Sequence, residues 1–155
     1  MALRVGELED STMIARRLKA CRLQVCASPD YWEKRGLPEH PNDLRMHNCL
    51  IYSQSPKADT WAFTDKNGES VGIKVKGNLH SDTGKLLLSA ALEGLGVVTG
   101  PSYMFIDAIK KGRLKPVLED YARATTGLYA VYPYSKLVSS KLRSFVDYLV
   151  DEWSQ

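Results

Sequence analysis

Ser81-Asp82-Thr83-Gly84-Lys85-Leu86-Leu87-Leu88-Ser89-Ala90-Ala91-Leu92-Glu93-Gly94-Leu95-Gly96-Val97-Val98-Thr99-Gly100-Pro101-Ser102 contains a helix start, a helix stop and a strand in one run. Ser81, Asp82 and Thr83 are the residue types whose side-chain oxygens accept from the first N–H groups of a helix. Leu86 to Leu92 then offers apolar side chains on one broad helical face. Gly94 and Gly96 stop that helix, Val97-Val98-Thr99 reads as a short buried strand, and Gly100-Pro101 ends it. A helix N-terminus presents unpaired N–H groups, and the carboxyl end of a strand opens into the crevice at a sheet edge. These are the places where α/β proteins hold ligands, and this run supplies both.

Upstream of this run, Ala2-Leu3-Arg4-Val5-Gly6 begins in mid-strand with no polar lead-in, so the chain is expected to be cut from something longer. Glu7 to Thr12 is a polar loop. Met13 to Leu18 returns to an extended pattern, and Arg22 to Ala27 alternates polar and apolar as a half-buried strand does. Ser28-Pro29 starts a helix that stops at Gly36, Asn42-Asp43-Leu44 caps a short turn, and Asn48 to Tyr52 is a strand. Trp61 to Thr64 and Val71 to Val75 flank Asn67-Gly68, a pair that tolerates the positive φ angles of a tight hairpin turn.

Downstream, Tyr103 to Lys111 is a short helix, Leu114 to Leu118 an extended piece, and Gly127 to Pro133 another strand. The C-terminal helix carries Val138, Leu142, Phe145, Val146, Leu149 and Trp153 at three-and-four spacing, with Lys141, Arg143, Asp147 and Asp151 on the outer face. Such a helix needs a sheet to cover. Strands interleaved with helices argue for an α/β fold.

At 155 residues, 44% hydrophobic and 25% charged, the chain is long enough for one domain or two small lobes with a core. Its net charge of +3 is scattered among acids, without the basic stripe of a nucleic-acid interface. Cys21, Cys26 and Cys49 are an odd number in apolar segments and read as buried reduced thiols. No signal peptide opens the chain and no apolar run is long enough to cross a bilayer, so the protein is expected to be cytoplasmic, without a membrane partner.

Asp82-Thr83-Gly84 matches the tripeptide of aspartic proteases, but a helix-forming run follows at once, where the protease tripeptide needs a loop in all-β structure. The glycines Gly94, Gly96 and Gly100 imitate a dinucleotide loop in the wrong order, closing a helix and opening a strand. His40, His47 and His80 are far apart, and His47 with Cys49 lacks a second pair of metal ligands. No P-loop and no Gly-x-Ser-x-Gly elbow is present. An enzyme is therefore not expected, and neither a metal nor a cofactor.

In their order, Ala2 to Leu8, Ile14 to Leu18, Cys26 to Tyr31, Asp43-Leu44 to His47-Asn48-Cys49-Leu50, Trp61-Ala62-Phe63, Ala90 to Val97, Leu114 to Leu118, Ala130 to Pro133 and Lys141 to Leu149 resemble the effector-binding domain of LysR-type transcriptional regulators. The resemblance implies an α/β fold like that of type 2 periplasmic binding proteins, with one complete lobe (about residues 19–124) and part of a second (1–18 and 125–155). The helix-turn-helix of the family is absent from these residues, so DNA would be reached only through it. A bacterial regulatory domain is implied, with a small-molecule effector and self-association as dimer or tetramer. A solute-binding protein of a transporter shares the fold and is the competing reading.

The implied effector-binding residues are Gly6, Glu7, Ser81, Asp82, Thr83, Thr99, Gly100 and Pro101. Many members resembling this chain carry Asn where Asp82 stands, and apolar or Pro-rich residues where Thr99-Gly100 stand. An ionised Asp82 repels an anion that the helix N-terminus would otherwise attract, so the expected effector turns hydroxyl, amide or cationic groups toward Ser81–Thr83. The C-terminal helix is expected to have lost much of the sheet it would cover, leaving Val146, Leu149 and Trp153 exposed or in contact with another copy.

Overall fold

The computed structural model describes residues 2–5, 13–122, 126–133 and 140–153. β1 (Ala2–Val5) and β2 (Met13–Cys21) open the chain, and β3 (Leu23–Ala27) leads into α1 (Pro29–Arg35). Ser28 caps α1 by accepting the Tyr31 N–H at 3.2 Å, Pro29 fits the first turn, and the Gly36 N–H closes the helix on the Trp32 carbonyl. A 3-10 turn (Pro41–Met46), capped by His40 with Asp43, precedes β4 (Cys49–Tyr52). The hairpin β5 (Thr60–Thr64) and β6 (Ser70–Lys74) follows, then a two-residue strand β7 (His80–Ser81), α2 (Gly84–Leu92) and β8 (Val97–Pro101). Another 3-10 turn (Ser102–Met104), α3 (Ile106–Lys110), β9 (Lys115–Val117), β10 (Thr126–Pro133) and α4 (Ser140–Trp153) complete the order.

The chain divides into two compact units, Met1–Cys21 with Thr125–Gln155, and Arg22–Ala124. In the first, β10 lies between β1 and β2 and pairs antiparallel with both, with Ala2 opposite Val131 and Ile14 opposite Tyr132. A register shift falls between Leu128 and Tyr129. Leu18, Ala130, Tyr132 and Val146 form its buried cluster, against which Ile14, Leu149 and Val150 pack, and Arg16 Nη1 meets Asp147 Oδ1 at 2.7 Å. This overturns the expectation that Val146 is exposed or in contact with another copy: it is 1% exposed and Leu149 half-buried within one chain, while Phe145 of the same stripe stays exposed. The paired β2 and β10 supply enough apolar face to cover Val146 and to pack against Leu149 and Val150. The Trp153 side chain lies outside the described residues.

The second unit is built on a five-stranded sheet of order β7-β4-β8-β3-β9. β4 runs parallel to β7 and β8, whereas β3 pairs antiparallel with β8 and β9. The two-residue period of the strands sorts neighbours onto opposite faces. Val25, Ala27, Cys49 and Val97 pack with Tyr31, Trp32, Leu44 and the hairpin residues Trp61, Phe63 and Ile73. Cys26, Leu50 and Val98 pack on the other side with Leu87, Ala91, Phe105 and Leu114. The sheet is thereby covered by α1 and the hairpin on one side and by α2 and α3 on the other.

The hairpin forms where Asn67-Gly68 predicts it, but its turn is different. Only Gly68 has a positive φ (83°), and the loop is closed by Asp65 N–H to the Glu69 carbonyl (2.9 Å) and Gly68 N–H to the Asp65 carbonyl (3.0 Å). This is the longer kind of turn, in which a single left-handed residue suffices. Asp65 Oδ1 holds it by accepting from the Asn67 and Glu69 N–H groups at 2.9 and 2.8 Å.

Candidate functional site

β7, β4 and β8 are parallel, so their carboxyl ends lie along one edge of the sheet. Ser81 ends β7 opposite Tyr52, and the Ser53 N–H donates to the Ser81 carbonyl at 2.9 Å. Ser81 is buried, and its Oγ both accepts from the Thr83 N–H (3.0 Å) and donates to the Thr83 carbonyl (3.3 Å). The hydroxyl is thus consumed in a local loop instead of capping the helix. Thr83 occupies the cap position with extended backbone but makes no side-chain cap bond; its Oγ1 donates to Asp82 Oδ1 at 3.1 Å. The expectation that Ser81, Asp82 and Thr83 cap α2 through their side chains is therefore corrected. The Ser81 hydroxyl pairs with the Thr83 backbone and the Thr83 hydroxyl with the Asp82 carboxylate just before the helix begins, and Asp82 and Thr83 stay exposed.

Thr99, Gly100 and Pro101 form the end of β8 and remain paired with β3, Thr99 opposite Val25, Gly100 opposite Gln24 and Pro101 opposite Leu23. The strand runs through Gly100 and stops on Pro101. All three are half-buried, and Thr99 Oγ1 donates to the Gln24 carbonyl at 3.2 Å. Ser81–Thr83 and Thr99–Pro101 thus lie at the same edge of the second unit. Gly6 and Glu7 lie outside the described residues.

Sequence reading missed two contributors to this edge. Tyr52, exposed at the end of β4, shares it because β4 runs parallel to both flanking strands, a pairing no local pattern announces. Met104 bridges α2 and β8. A Cβ built on Gly84 would stand 3.0 Å from Met104 Cε, and one built on Gly100 would stand 3.8 Å from its Sδ. An open polar recess of ≈ 530 Å³ lies elsewhere, at the amino end of β4, lined by Lys34, Arg35, Asn48, Asn78 and Glu93 among others. The Asn48 amide there is committed to the fold, donating to the Leu95 carbonyl (2.7 Å) and accepting from the Asn78 N–H (3.0 Å).

The titratable groups elsewhere have structural settings. Burial pushes the Cys49 thiol up to about 12, and burial with the nearby Glu119 charge does the same for Cys26, so both are thiols at neutral pH. Cys21, Cys26 and Cys49 are all free and buried. His47 is held below the usual histidine range by burial and then by Arg35, with Asp43 opposing; its Nδ1 lies 3.2 Å from the Tyr31 hydroxyl. His40 serves as a cap and rests edge-on against Tyr121. Among the described residues no group of three or more His, Cys, Asp or Glu is placed to hold a metal ion, and no helix is long and apolar enough to cross a membrane.

Residues 1–154 match the family described as LysR substrate binding domain. The chain is 37% identical over 153 residues to the HTH-type transcriptional regulator CrgA of Neisseria meningitidis serogroup B, covering 98% of this chain and 50% of that protein. It is 29% identical to the HTH-type transcriptional activator TtdR of Escherichia coli K12, covering 99% and 49% respectively. The chain spans about half the length of these relatives. Among solved structures it is similar to the CrgA regulatory domain of Neisseria meningitidis (TM-score 0.82, 36% identity, 97% of this chain and 74% of that one). It is also similar to the regulatory domain of AphB from Vibrio vulnificus (TM-score 0.77, 29% identity, 96% and 73%). With the match running nearly end to end, and with relatives that are transcriptional regulators of the same fold, the chain belongs to the LysR substrate-binding domain family.

Proposed function

We propose that this chain is the effector-sensing part of a cytoplasmic bacterial LysR-type regulator. In this reading residues 19–124 or so form one lobe, and the remainder contributes to a second. A helix-turn-helix outside these residues contacts DNA, and the regulator works as a dimer or tetramer. The observation that carries the reading is the family match over residues 1–154, joined to a sheet edge where the carboxyl ends of three parallel strands meet the start of α2.

The effector would rest on Ser81, Asp82, Thr83, Thr99, Gly100 and Pro101. The exposed carboxylate of Asp82 stands at the very helix end that would otherwise attract an anion. A helix terminus contributes about 0.3–1 kcal/mol to an anion, and a carboxylate about 4 Å away opposes it by about 1 kcal/mol in bulk water and more in a sheltered site. A hydroxyl, amide or cationic group is therefore the favoured partner.

The test is a thermal-shift screen of metabolites against the chain and against Asp82→Asn. Ligand binding to the native state raises the melting temperature. Because Asp82 does not cap α2 through its side chain, Asp82→Asn should change stability by only about a few tenths of a kcal/mol. It should weaken cationic ligands and strengthen carboxylates. Identical shifts for both ligand types in the parent and the variant would remove Asp82 from the site.

A further inference from the structure

We propose that Met104 is the residue that sets the size of the apolar part of the effector, an inference that rests on the effector site proposed above. Met104 ends the 3-10 turn directly after β8, and its half-buried side chain packs on the cluster containing Leu87, Val98 and Phe105. Its thioether end fills the space beside the first residue of α2: a Cβ on Gly84 would lie 3.0 Å from Cε and 3.8 Å from Sδ. The same sulfur lies 3.8 Å from where a Gly100 Cβ would stand, with Phe105 Cζ at 3.1 Å from that point. Both glycines therefore leave room that one methionine occupies.

Thr83 of the proposed site precedes Gly84, and Gly100 is itself one of the site's residues, whereas Thr99, opposite Val25, belongs to the other face of the sheet. An apolar stem that runs from a head on Thr83 toward Gly100 passes the thioether, which stands beside both glycine positions. The chemistry this fits is amphiphilic: a hydroxyl, amide or ammonium head on Asp82 and Thr83, with a short apolar stem on Met104. Methionine has three rotatable side-chain bonds and no fixed shape, so it selects for the length of the stem more than for its branching.

Primary alkanols, alkanamides and alkylamines from ethyl to octyl serve as probes, each titrated by thermal shift against the chain, Met104→Ala and Met104→Leu. Each methylene added within contact should tighten apparent affinity by about fourfold, until the stem meets the thioether. In Met104→Ala the favoured stem should lengthen by about two or three carbons, the space the side chain vacates. In Met104→Leu, a swap that keeps core volume, it should lengthen by about one, and this variant decides the question if the alanine variant fails to fold. An unchanged favoured length in a folded variant would overturn the role of Met104 while leaving the site standing. If no probe stabilises the parent chain at any length, the effector-site reading fails and this inference fails with it.

Discussion

His47 shows how a residue that reads as a possible ligand becomes part of a core. It is buried, its Nδ1 lies against the Tyr31 hydroxyl, and that hydroxyl also accepts the Asn48 N–H at 3.0 Å. Trp32 packs edge-on against the ring at 5.4 Å. Burial and the Arg35 charge hold the imidazole below its ordinary value of 6.5, with Asp43 pulling the other way. The unfolded chain then binds the proton more readily than the folded one, so stability is complete above pH 6.5 and falls as the pH drops through the folded value. Thermal melts across that range should show His47→Gln losing less stability than the parent on acidification. Parallel pH profiles would mean that the ring titrates as freely as in the unfolded chain.

At the scale of elements, the joints between strands carry constraints that the strands themselves do not show. A Cβ on Gly77 would lie 1.8 Å from the Cys49 carbonyl oxygen, and one on Gly96 would lie 2.3 Å from the Asn48 carbonyl. Both glycines let backbone lie directly on the start of β4, where the Cys49 N–H donates to the Lys76 carbonyl (3.0 Å) and the Val97 N–H to the Asn48 carbonyl (2.9 Å). Gly77→Ala sets a methyl group against backbone that cannot swing aside. It should cost about 4 kcal/mol or more, in the range of severe core lesions. Circular dichroism of the purified variant checks this, and a melting temperature within a few degrees of the parent would refute it. Gly96 is legible in sequence only as a helix stop; its close approach to Asn48 is a fact of sheet pairing.

For the whole molecule, the two units have separate buried clusters, so a lesion in one should be felt mainly there. Val146 is buried among Leu18, Ala130 and Tyr132 in the smaller cluster. Val146→Ala removes side-chain contacts worth about 1–3 kcal/mol. Hydrogen exchange should then lose protection in β2, β10 and α4, while β3, β4 and β8 keep theirs. Equal loss in both units would mean that they unfold as one.

Local pattern determined most of the elements of this protein. Ser28-Pro29 with Gly36 bounded α1, the alternation around Asn67-Gly68 announced the hairpin, and the Leu86–Leu92 run with Gly94 announced α2 and the strand after it, because each signal acts within a few residues. The ordered set of motifs also pointed to the family to which the chain belongs. Tertiary structure decided what those signals could not reach. It made Ser81 the end of a strand instead of a helix cap, because pairing with β4 depends on residues about thirty positions upstream. It also covered Val146 with strands from both ends of the chain, and seated Met104 against Gly84 and Gly100. Side-chain chemistry and spacing fix what a segment prefers to become; only the pairing of distant segments fixes which groups meet.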